Sequence, residues 1–91
     1  MPLVNVTITG ADEAKFNWDG KYRTLTSTGQ GKWQGGFNAA SGDHEYFAEV
    51  AGQPGDPWES DVADSASTDT VKGKMKSNGR GNSGTRTFSV A

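Results

Sequence analysis

Apolar and polar residues alternate with a period of two through much of this chain, the spacing of strands that bury one face. Val4, Val6 and Ile8 form one such face, and Ala14, Phe16 and Trp18 form a second. Trp33, Gly35 and Phe37 alternate with Lys32, Gln34 and Gly36; further on, His44, Tyr46, Ala48 and Val50 alternate with Glu45, Phe47 and Glu49. Gly31 to Asp61 therefore reads as one β-hairpin turning at Ser41, Gly42 and Asp43. At its far end, Ala51 to Pro57 is rich in Gly and Pro, which a strand interior tolerates poorly, so Trp58 is expected in a turn. Asp19–Gly20 between alternating segments predicts a tight hairpin. Tyr22 to Ser27 predicts a strand, Gly29 to Gly31 a turn, and Ser60 with Val62 a short strand. Asp64 to Thr70 reads as a polar loop, and Val71–Met75 with Thr85–Val90 as a last hairpin across SNGRGNSG.

The sum is an all-β chain, closed most simply as an antiparallel β-sandwich of about seven strands. Residues 1–91 make one domain, with a flexible polar loop near 63–70 and a Gly-rich hairpin turn near 77–84. The expected inward residues are Val6, Ile8, Phe16, Trp33, Phe37, Tyr46, Val50, Phe88 and Val90.

Composition narrows what such a domain does. With 91 residues it has room for one small core and little for an enclosed catalytic cavity, so an enzyme is not expected. Cysteine is absent, which removes disulfides and thiolate metal sites. A net charge of −2 gives no global pull toward nucleic acid or anionic lipid. The opening residues MPLVNVTITG alternate and lack the long apolar run of a signal peptide or membrane span, so a cytoplasmic location without membrane contact is expected. No cofactor or metal is implied.

Sugars present flat C–H faces ringed by hydroxyls and are bound by exposed aromatic rings beside a few polar groups. Trp58 and Trp18 are the tryptophans in or next to turns, with Gln53, Asn17 and Asp61 as polar candidates; the competing reading closes the ends of the sandwich with both rings. His44, the single histidine, has no Cys or second His to form a site and reads as structural. Asp56, Glu59, Asp61, Asp64 and Asp69 lack the spacing of a calcium loop and read as solvated surface. Lys72, Lys74, Lys76, Arg80 and Arg86 form a basic patch that either grips polyanions or guards an edge strand against pairing, the second being favoured. Nucleic acid is accordingly a weak candidate partner, one that needs exposed Tyr22 or Phe47 for base stacking beside the basic hairpin.

Phe16, Asn17 and Trp18; Trp33; Gly42 to Tyr46; Val50, Gly52 and Gln53; and Trp58 with Asp61 together resemble the immunoglobulin-like glycogen- and starch-binding modules. Those modules are related to the N-terminal domains of branching and debranching enzymes and occur in the AMP-activated kinase β subunit. The resemblance implies an immunoglobulin-like sandwich and a non-catalytic module for α-glucans such as glycogen or starch. Where that family has a lysine this chain has Phe47, which adds stacking surface if it points outward. The alternative is a sandwich of the same kind that serves as a structural or protein-interaction module.

Overall fold

The computed structural model describes residues 2–91. Ten strands build two antiparallel sheets packed face to face, with no helix among the described residues. In chain order they are β1 (Leu3–Thr9), β2 (Glu13–Trp18), β3 (Lys21–Arg23), β4 (Thr26–Gly29), β5 (Lys32–Asn38), β6 (Gly42–Ala51), β7 (Pro57–Ala63), β8 (Thr68–Lys74), β9 (Arg80–Asn82) and β10 (Arg86–Val90). The first sheet runs β4-β5-β1-β7-β8. The second runs β10-β6-β2-β3, and β9 pairs with the stretch of β6 that β10 leaves free. An all-β sandwich is thus the fold, with more and shorter strands than the pattern alone suggests.

The alternation sets the core. Val4, Val6 and Ile8 of β1, Phe16 and Trp18 of β2, Tyr46, Ala48 and Val50 of β6, and Phe88 and Val90 of β10 all point between the sheets and are buried. Trp33 and Phe37 pack against this cluster from β5. Every residue expected inward is therefore part of the core or packed on it. Phe16, Trp18, Phe37 and Tyr46 stack at centroid separations of 5.0 to 6.5 Å, the offset and edge-on distances that aromatic rings favour.

Two expected hairpins and one expected strand are corrected. Trp33 and Tyr46 do not face each other in one hairpin: β5 pairs with β1 and β4 in the first sheet, whereas β6 belongs to the second. The segment from Val71 does not pair with the C-terminal strand either, since β8 joins β7 and β10 joins β6. Tyr22 to Ser27 is two strands, because the chain leaves one sheet for the other at Thr24–Leu25. Gly35 makes that crossing possible: a Cβ there would lie 2.8 Å from both the Leu25 side chain and the Thr24 carbonyl. Local alternation reveals which residues point inward but not which of two sheets a strand joins.

The hairpins joined by the tightest turns follow the sequence closely. Trp18 pairs with Lys21 across Asp19 and Gly20, whose φ values of 51° and 86° are those of a two-residue turn matched to strand twist. Gly29 pairs with Lys32 across Gln30 and Gly31 in the same manner.

The loop expected at 63–70 is short, and β8 begins within it at Thr68. Asp64 shapes what remains by accepting the backbone N–H groups of Ala66 and Ser67. The Gly-rich stretch 77–84 is not a simple turn, for it contains β9.

Sandwich edges need closure. Between β8 and β10, Asp69 accepts the Tyr46 hydroxyl at 2.5 Å and two bonds from the Arg86 guanidinium at 2.7 and 2.9 Å, tying the sheets together. The Arg86 bonds hold the Asp69 carboxyl below its usual range, while burial and the Asp69 bond push the Tyr46 phenol up.

Candidate functional site

The outward positions of the second sheet carry two aromatic rings, Tyr22 and Phe47. Asn17 faces Tyr22 on one side and Phe47 on the other in the register of β3, β2 and β6, so these side chains form one row across the sheet. Tyr22 is 59 % exposed, and its ring meets that of Phe47 edge-on at 6.0 Å. Its hydroxyl donates to Glu49 at 2.8 Å, which fixes the ring over the sheet. That bond, followed by desolvation and the carboxylate's charge, raises the Tyr22 phenol above its ordinary value.

Two depressions flank Phe47. The larger, about 580 Å³, is bordered by Glu13 and Lys15 of β2 and by Arg80 and Asn82 of β9, with Glu49 and Ala51 of β6 between them. The smaller, about 430 Å³, lies toward the Asp19–Gly20 turn and includes Asn17 and Glu45. Phe47 and Thr85 line both. Thr85 reaches this position because β9 and β10 are offset by the Ser83–Thr85 segment. There Ser83 stands in for a ladder residue: its hydroxyl accepts the Ala48 N–H and its own N–H donates to the Ala48 carbonyl.

The tryptophans are elsewhere. Trp18 is 2 % exposed, on the inner face of β2, where it stacks on His44 at 4.9 Å and edges onto Phe37 at 5.0 Å. Trp58 is 5 % exposed and lies in β7, not in a turn. Its indole fills a slot between Gly73 and Gly81: a Cβ at either glycine would come within 3.0 Å of the ring. Of the two readings open for these rings, the ligand-facing one is corrected and the packed one holds, and for Trp58 the reason is volume. Two glycines on facing strands leave a space that a large ring from a third strand fills.

The polar candidates separate. Asn17 belongs to the row just described, although it is only 6 % exposed. Gln53 lies in the β6–β7 loop and lines neither depression. Asp61 sits on the outer face of the first sheet and accepts the Thr70 hydroxyl at 2.6 Å. Its neighbour Glu59 has its carboxyl raised, first by a hydrogen bond with Asp61.

The basic patch also dissolves. Lys72 and Lys74 are outward on edge strand β8, with Lys72 3.8 Å from Glu59. Lys76 lies past the end of that strand, Arg80 borders the larger depression, and Arg86 is held by Asp69. Tyr22, a stacking candidate in the sequence only toward nucleic acid, is brought into register with Asn17 by the tight turn that precedes it.

His44 makes no catalytic arrangement. Its Nδ1 meets Asp19 at 2.5 Å and its Nε2 meets the Ala40 carbonyl at 2.7 Å. Both partners are acceptors, an arrangement that favours the protonated ring. The Asp19 bond is the first cause of its raised pKa. No group of three or more His, Cys, Asp or Glu gathers among the described residues in a way that could hold a metal ion. No described helix is long and apolar enough to cross a membrane, which leaves strand-built membrane proteins unaddressed.

Comparison of the chain with family models, curated proteins and solved structures returns no match.

Proposed function

We propose that this domain is a non-catalytic carbohydrate-binding module whose ligand lies across the outer face of the second sheet. The observation that carries the proposal is the Tyr22–Phe47 pair, held edge-on and partly exposed beside Asn17 and Glu49. Aromatic surface supplies the apolar partner for a pyranose C–H face, and carboxylates and amides accept and donate to its hydroxyls. Charge supports an uncharged ligand. Glu13, Glu45 and Glu49 offset Lys15 and Arg80 around the depressions, and the three carboxylates repel a phosphate chain.

The sequence resemblance to glycogen- and starch-binding modules makes α-glucans the first ligands to test. The stacking surface in this reading is Tyr22 and Phe47 and not Trp58 and Trp18. A cytoplasmic location belongs to the same proposal. The deciding experiment is retention on glycogen and starch by the parent protein and by Phe47→Ala and Tyr22→Ala. Retention by the parent that both variants lose supports the assignment. Retention by both variants moves the site elsewhere, and absence of retention on any polysaccharide leaves a structural or protein-interaction sandwich as the better account.

A further inference from the structure

Resting on the carbohydrate reading, we infer that the site takes an internal stretch of a linear, uncharged polysaccharide lying along β6, and not a single sugar or a chain end. The two depressions are neighbours on one sheet face, and Phe47 and Thr85 line both. Phe47 is therefore a divider within one track. The outward residues of β6 along it are Glu45, Phe47, Glu49 and Ala51. Six residue steps separate the first from the last, about 20 Å of strand, which accommodates about four consecutive pyranose rings.

The residues beside this track are lateral. Glu13 and Arg80 face Ala51 from the strands on either side, and Lys15 and Asn82 face Glu49 in the same way. On the β6 line itself the track finishes in Ala51, the smallest of its outward side chains. A pocket built for a chain terminus needs a wall across its end, whereas this track has side walls and a low floor. Tyr22 enters from β3 at the level of Phe47, so the aromatic surface is at the middle of the track and not at its end. A ring stacked there is flanked by polar groups in both directions, which suits a chain that continues both ways.

Isothermal titration with malto-, cello- and chito-oligosaccharide ladders tests this. For any ladder that binds, affinity is expected to rise at least about tenfold from the disaccharide to about the tetrasaccharide and then level off. Reduction of the terminal sugar to its alditol should leave the affinity of the longer chains unchanged. Ala51→Trp raises a wall on the floor of the larger depression, and the plateau should then come at a shorter chain. Glu13→Trp, on an exposed position of β2, narrows the same end and serves if the first variant melts early.

A monosaccharide that binds as tightly as the longer members of its ladder overturns the track. So does loss of binding on terminal reduction, or an unchanged length profile in a folded Ala51→Trp or Glu13→Trp protein. These results leave carbohydrate binding itself in place. Failure of every ladder and of polymeric glycogen and starch removes both the track and the carbohydrate reading.

Discussion

The two sheets differ in where they put their large rings. The first sheet turns Trp33, Phe37 and Trp58 inward and shows solvent, apart from Leu3, a mainly polar face that includes Thr7, Gln34, Asp61 and Thr70 aligned in register. The second sheet also fills the core, with Phe16, Trp18, Tyr46 and Phe88, yet keeps Tyr22 and Phe47 outside. Rings that face inward are explained by packing. Tyr22, held outside by its bond to Glu49, and Phe47, turned outward by its register, lie off the core, and their pairing on one face points to a surface role. Function is therefore sought on the second sheet.

The largest effect that would sharpen this contrast is Trp58→Ala. Removing a ring from its seat between Gly73 and Gly81 should cost about 3 to 5 kcal/mol of stability. Urea denaturation reads this directly, and a midpoint close to that of the parent would show that the indole contributes nothing to packing. Asp69→Asn tests the tie between the sheets. It removes the charge that Arg86 and the Tyr46 hydroxyl share, with an expected loss of about 1.5 to 3 kcal/mol. In the parent the depressed Asp69 carboxyl adds stability present above its unfolded value, near pH 4, and lost as pH falls through its lower folded value. The acid limb of the melting curve should flatten in the variant.

Phe47→Ala is expected to do the reverse of Trp58→Ala. As an outward substitution it should shift stability by about 0.5 kcal/mol, while polysaccharide affinity falls about tenfold. If stability collapsed instead, Phe47 would belong with the core rings and the contrast between the sheets would be broken. The smallest effect concerns His44. Its pKa is raised, so its contribution is fully present below the ordinary histidine value, near pH 6.5, and is lost as pH rises through the folded value. Asp19 is lowered, chiefly by the same bond, so its share is present above about pH 4 and lost as pH falls through the folded value. Thermal melts should show a shallow maximum between these limits, with the alkaline decline absent in His44→Asn.

Much of the inner face was legible from alternation, because a period of two is imposed by strand geometry wherever one side is buried. Phe16, Tyr46 and Val50 illustrate it, as do Phe88 and Val90. The site was legible only in fragments. Asn17 and Phe47 were identified as candidates, but the rings singled out for stacking were Trp58 and Trp18, since proximity to Gly and Pro suggests a surface turn. What seats Trp58 inside is a pair of glycines, one of them more than twenty positions away, and no local pattern connects them. The basic residues failed for a related reason: Arg86 appears free in the sequence and is held by Asp69 from the opposite sheet.

The sequence by itself determined the all-β class, most of the inward set of side chains and the hairpins closed by Asp19–Gly20 and Gln30–Gly31. Each of these is set by backbone geometry within a few residues. Only the tertiary structure decided which sheet each strand joins, that Trp58 is buried, and that Phe47 joins Tyr22 and Asn17 in one outward row. Those outcomes depend on volume matching and hydrogen-bond closure between segments far apart in the chain, where the same alternation is compatible with several pairings.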